Sequence, residues 1–191
     1  MDNFREKTRR QRYNQKKDKA KIYPIDIACI NFGRPGNVGY VIRAAACFGA
    51  RSVHVIGSLP NRKLVNEISG SLYDYITIIQ HKNPIEFLDY ARHHKIKLIS
   101  AELVDSATSI DCYNFSFDSN ICLVVGQEEY GIPVEILNNS DKVYIPMPGV
   151  GYCLNTSQTA NIILYESVKR YENQQRHIKR WTEEKEIYCL P

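Results

Sequence analysis

Six short apolar runs rich in β-branched residues constrain this chain more than any other feature. They are IDIACI (25–30), SVHVIG (52–57), ITII (76–79), IKLIS (96–100), ICLVV (121–125) and KVYIP (142–146). Runs of this length and composition predict strands. Between them lie segments of helical character: NVGYVIRAAACFG, NPIEFLDYARHHK, PVEILNN and the long TSQTANIILYESVKRYENQQ. Strand, helix, strand, repeated, predicts an α/β fold, a mostly parallel sheet with helices on both faces. Ligands of such sheets sit beyond the carboxyl ends of the strands, so chemistry is expected in the loops that follow them.

At 191 residues, 43% hydrophobic and 24% charged, the chain suffices for one ordinary core and is short for two. It has no run of about 18 apolar residues, and its N-terminus is polar and basic without an apolar signal core. No membrane span or secretion signal is predicted, and a cytoplasmic location is expected. The six cysteines, Cys29, Cys47, Cys112, Cys122, Cys153 and Cys189, form no CxxC pair, and no disulfide framework is expected. His54, His81, His93, His94 and His177 make no HxxxH or Cys/His ligand pattern, so no metal is predicted and no chemistry is assigned to them.

The net charge of +4 is unevenly distributed, because residues 1–21 hold nine Lys or Arg against three Asp or Glu. The remainder is slightly acidic. Residues 1–21 are read as a basic flexible extension, mobile or loosely helical, without core contacts. Such a segment is either a nucleic-acid contact, through Arg9, Arg10, Arg12, Lys16 and Lys17, or a solubilising tail.

Three loops stand out. NFGRPGNVG follows the first strand, GQEEYGIP follows ICLVV, and PMPGVGYCLNTS follows KVYI. Each alone reads as a turn. PGVGYC is not a dinucleotide loop, since GxGxxG belongs in the first βα unit with an acid about 20 residues on.

In combination and order the three resemble the motifs of the SPOUT methyltransferases, specifically the TrmH (SpoU) family of RNA ribose 2′-O-methyltransferases. The first motif is similar to Asn31, Pro35-Gly36-Asn37-Val38-Gly39, Ile42-Arg43, Ala45-Ala46 and Phe48-Gly49. The second is similar to Gly126-Gln127-Glu128-Glu129-Tyr130-Gly131-Ile132-Pro133, and the third to Ile145-Pro146-Met147 with Cys153-Leu154-Asn155-Thr156-Ser157. Cys153 departs from the serine usual there. The resemblance covers residues 25 to about 172, and the chain divides into the extension 1–21, a methyltransferase domain 22–172 and a C-terminal extension 173–191.

The resemblance implies a C-terminal deep trefoil knot, an exception to the rule against threaded chains. It implies S-adenosylmethionine as cofactor, held by Gly126, Ile145, Cys153 and Leu154, with Ala101 a weaker candidate. It makes Arg43 the catalytic arginine, supported by Asn37, Glu128, Asn155 and Ser157. The residues by themselves allow blander roles. Arg43 reads as a surface charge or an ion pair with Glu128 or Glu129, Asn37 as a helix N-cap, Glu128 as an acceptor for loop N–H groups, and Asn155 or Ser157 as the cap of the last helix. In the family reading Glu128 orients Arg43. A guanidinium is permanently protonated, so the role read for Arg43 is to bind the phosphate beside the target and stabilise the developing 2′-alkoxide. The proton leaves to phosphate or water.

Short members with small flanking extensions act on tRNA, which is therefore the expected substrate, with rRNA or a non-catalytic RNA-binding role as alternatives. Arg34 is expected as a further RNA contact. Arg176, Lys179 and Arg180 beside Trp181 offer either a cationic and aromatic contact for an exposed base or an anchor for the last segment. A homodimer paired through the knot region and last helix is expected.

Overall fold

The computed structural model describes residues 7–30, 35–117, 119–151 and 153–188, with side chains through residue 179. Its elements are α1 (Arg9–Lys17), β1 (Ile25–Ile30), α2 (Pro35–Phe48), β2 (Ser52–Ile56), α3 (Arg62–Ile68), β3 (Thr77–His81), α4 (Pro84–His93), β4 (Lys97–Ala101), β5 (Thr108–Ser109), β6 (Ile121–Val125), α5 (Val134–Leu137), β7 (Asp141–Tyr144) and α6 (Thr156–Tyr188). A 3-10 turn spans Tyr73–Tyr75.

All seven strands form one parallel sheet in the order β3-β2-β1-β6-β4-β7-β5. Six of them fall on the six apolar runs. The seventh, β5, has two residues at the sheet edge. The central strand is β6: Ile121 stands opposite Ile25 of β1 on one side and Lys97 of β4 on the other.

Every residue of β1 is buried, because both faces of the sheet are covered. Ile25, Ile27 and Cys29 face a core built with Val41 and Ile42 of α2 and Ile163 and Leu164 of α6. Ala28 and Ile30 face the other way, onto Phe87 and Leu88 of α4 and Ile136 of α5. Two covered faces leave no position for polar alternation, and each fully buried Leu, Ile or Val contributes about 1.5–3 kcal/mol. Helix α2 crosses α3 at very close range: a Cβ on Gly39 would lie 2.6 Å from Cγ2 of Ile68, so only glycine fits at that crossing.

The one charged side chain of β1, Asp26, is also fully buried. Arg51 forms an ion pair with it, and the Ser52 hydroxyl donates to Oδ1 at 2.6 Å. Burial pushes its carboxyl up, but the contacts from His54, Arg51 and Ser52 outweigh this and hold it below the usual carboxylate value. His54 Nε2 lies 3.1 Å from Ser52 Oγ, and His54 Nδ1 lies 2.9 Å from His81 Nε2.

The N-terminal segment, expected to be mobile or loosely helical without core contacts, forms a helix that buries no residue but makes surface contacts. Helix α1 carries a capping box between Thr8 and Gln11. The Tyr13 hydroxyl donates to the Gly70 carbonyl at 3.0 Å, and the Tyr75 hydroxyl donates to Asn14 Oδ1 at 2.8 Å. Two neutral residues inside a basic run thus tie the segment down. Helix α6 is longer than its apolar pattern predicts and runs on through most of residues 173–191.

Candidate active site

Beyond the carboxyl ends of β4, β6 and β7 lies a cavity of about 460 Å³. Ala101, Gly126, Ile145, Cys153 and Leu154 all line it, so residues far apart in sequence meet at one concave surface. The loop after β6 shapes its wall. Gln127 and Gly131 exchange backbone hydrogen bonds at 2.9 and 2.8 Å, folding the loop back on itself. A Cβ on Gly126 would then lie 2.5 Å from the carbonyl carbon of Gly131.

Glu102 was not singled out by the sequence, yet it lines the same cavity. Its Oε2 accepts the Ile132 N–H at 3.1 Å and so anchors the folded loop to the end of β4. The only signal was an acid one residue past a strand end, which solvated surface positions share.

At the rim, four of the residues assigned to catalysis form one hydrogen-bonded group. Asn37 Nδ2 donates to Glu128 Oε1 at 2.9 Å, and Asn155 Nδ2 donates to the same oxygen at 2.6 Å and to Asn37 Oδ1 at 3.2 Å. Asn155 Oδ1 in turn accepts from the backbone N–H and the hydroxyl of Ser157, at 2.9 and 2.7 Å. Asn155 therefore caps α6 and holds Glu128 with a single amide. Asn37 is not an N-cap: α2 starts at Pro35, a residue suited to the first helical position, which places Asn37 inside the first turn, 7% exposed.

Arg43 stands apart from this group. It is exposed on α2 and makes no hydrogen bond or ion pair with any described residue. The expected pairing with Glu128 or Glu129 is absent among the described residues; Glu128 is held instead by the two asparagine amides. The Arg43 guanidinium lies by Gly70, where an added Cβ would stand 3.8 Å from Cζ and 3.9 Å from the Tyr13 hydroxyl. Of the basic residues in the N-terminal segment, Arg9, Arg10 and Lys17 line a second cavity of about 570 Å³, Lys16 is exposed and Arg12 half-buried. Arg34, Asn31 and the side chains of Arg180 and Trp181 lie outside the described residues.

Residues 24–165 match the family model described as the SpoU rRNA Methylase family. The chain belongs to that family. Among relatives, a tRNA (guanosine(18)-2'-O)-methyltransferase of Escherichia coli is 25% identical over 141 residues, covering 73% of this chain and 61% of the relative. The SpoU-family chain thus spans about three fifths of the length of that relative. Among solved structures, the A. aeolicus TrmH/SpoU tRNA modifying enzyme shares the fold with a TM-score of 0.74 at 19% identity, covering 95% of this chain and 98% of that one. The SpoU methyltransferase AviRb from Streptomyces viridochromogenes, in complex with the cofactor AdoMet, has a TM-score of 0.66 at 25% identity over 80% of this chain and 59% of that one.

Proposed function

We propose that this chain is an S-adenosylmethionine-dependent RNA ribose 2′-O-methyltransferase of the cytoplasm, acting on tRNA. The observation that carries the reading is the junction of the cavity with the polar group at its rim, since Glu128 and Asn155 belong to both. The cavity suits the cofactor. Its volume falls within the range of small-molecule sites, about 300–1,000 Å³. Its wall at Gly126 has no room for a Cβ. Its lining combines apolar Leu103, Ile145 and Leu154 with the carboxylates of Glu102 and Glu128, a donor set that accommodates a cation with apolar arms. Ala101, Gly126, Ile145, Cys153 and Leu154 would hold it.

When bound, S-adenosylmethionine supplies the methyl group as a sulfonium substituent. The chain's own part is positioning and charge. The amides of Asn37 and Asn155 fix the Glu128 carboxylate at the cavity mouth. Arg43 binds the phosphate beside the target ribose and stabilises the 2′-alkoxide as the hydroxyl loses its proton to phosphate or water.

Arg43 makes no hydrogen bond with the rim group of its own chain, which supports an active site assembled from two copies. Ile162 and Tyr165 leave apolar surface exposed on α6, 39% and 57% respectively, as a homodimer face requires. A single-species mass of one chain by sedimentation at micromolar concentration would exclude the dimer. The C-terminal segment is read as a trefoil knot on its resemblance to the SPOUT methyltransferases.

Calorimetric titration with S-adenosylmethionine, followed by transfer of a labelled methyl group to tRNA and to rRNA, tests the reading. Donor binding with label in tRNA ribose is expected. Label in rRNA alone would favour the second substrate, to which the family description points. No donor binding would refute the enzyme and leave the non-catalytic RNA-binding alternative.

A further inference from the structure

We propose that the cleft between α1 and the α3 to 3-10 segment is a subsite for one unstacked RNA nucleotide flanking the methylated position, its base stacked on the Tyr13 and Tyr75 pair. The inference rests on the RNA-methyltransferase reading above and adds to it a stacking contact.

Two independent features meet in this cleft. The first is charge. Arg9, Arg10 and Lys17 line it, and their side chains make no hydrogen bond or ion pair with any described residue. The acid on its lining, Asp74, is already engaged by Arg62, whose Nη2 donates to Oδ1 at 2.6 Å. Uncompensated cations around a cavity of about 570 Å³ suit a phosphodiester.

The second is a preorganised aromatic pair. Tyr13 and Tyr75 meet edge to face with centroids 5.3 Å apart. Both hydroxyls are tied, to the Gly70 carbonyl and to Asn14. Rings fixed in this way lose little freedom when a base stacks on them, and stacking of this kind accepts single-stranded RNA and not a paired helix.

The cleft adjoins Arg43 through Gly70 and Tyr13, so a nucleotide seated there is a near neighbour of the ribose assigned to Arg43.

The test uses the full chain with fluorescein-labelled single-stranded pentamers, A5, C5, U5 and an abasic pentamer of the same charge, read by anisotropy. The base-bearing strands are expected to bind more tightly than the abasic one, A5 by about tenfold, the order of one stacking contact. Tyr75→Ala should weaken A5 about tenfold, while Tyr75→Phe, which keeps the ring, should not. Unchanged S-adenosylmethionine affinity in each variant verifies the fold. Binding of the abasic strand equal to that of A5, or no binding of any strand, overturns the subsite even where tRNA is methylated. Failure to bind S-adenosylmethionine or to methylate any RNA counts against the enzyme reading instead.

Discussion

Replacing Gly126 by alanine places one methyl group against three backbone atoms. Its Cβ would lie 2.5 Å from the Gly131 carbonyl carbon, 2.8 Å from the Ile132 nitrogen and 2.9 Å from the Gly131 Cα. Non-bonded carbons prefer about 3.5–4.0 Å, so the loop must withdraw by about 1 Å. No side-chain rotation relieves the clash. The loop is held by the paired Gln127 and Gly131 hydrogen bonds, by Glu102 on the Ile132 N–H and by burial of Ile132. Overpacking of this kind costs about 1–3 kcal/mol, and a lost bond to the Glu102 carboxylate adds about 1.5–3. We expect Gly126→Ala to lower unfolding free energy by about 2.5–6 kcal/mol in urea titrations, and Tm by about 2–4 °C for each kcal/mol lost. Gly126 and Gly131 both line the cavity, so S-adenosylmethionine affinity should fall at least about tenfold, the effect of about 1.4 kcal/mol. A variant within about 0.5 kcal/mol of the parent, with unchanged donor affinity, would show that the loop has slack and that this contact does not define the cavity.

Arg43→Ala should keep the fold and donor affinity, since the side chain is exposed, and lose about 10²–10³ in turnover; near-parent rates at saturating RNA would return Arg43 to the role of a surface charge. A chain beginning at Ile22 should bind RNA with a salt slope shallower by roughly 2–4 and leave S-adenosylmethionine affinity unchanged; an equal slope would mean that the tail meets no phosphate. Burial and the neighbouring His54 lower the His81 imidazole to about 4. Exposed imidazole titrates near about 6.5, so only the unfolded chain takes up this proton between the two values, and stability should fall by about 3 kcal/mol as pH drops from 6.5 to 4. His81→Gln should flatten that window in urea midpoints; an unaltered slope would assign the loss to other groups.

The strands were legible because burial on both faces turns them into unbroken apolar runs, as at Ile121–Val125. Two elements were not: β5, with two residues, and α3, with seven, which no apolar run or motif marked. The glycine-rich loops marked where chemistry was to be sought: Gly126, Ile145, Cys153 and Leu154, named from the loops after β6 and β7, line one cavity with Ala101 of β4. What sequence spacing could not show was partner choice. Glu128 meets Asn155 and Asn37 across 27 and 91 positions, and Arg43 meets neither. Glu102 escaped notice because an acid after a strand looks solvated until Ile132 is folded onto it. Tyr13 was hidden within a run of charge, although its ring and hydroxyl decide where α1 rests.

The position of β6 has a consequence for how the chain is made. Strands β1 and β4 are completed by the same partner, and that partner is residues 121–125. During synthesis from the N-terminus, Ile25–Ile30 therefore waits with one edge unpaired until roughly 95 further residues have been added, about 5–20 seconds at ordinary elongation rates. An open parallel edge of Ile, Ala and Cys is an adhesive surface for any other nascent chain. Neither half of the sheet is a finished body on its own. A ribosome stalled before Ile121 holds an aggregation-prone fragment, and the next few residues close both edges at once.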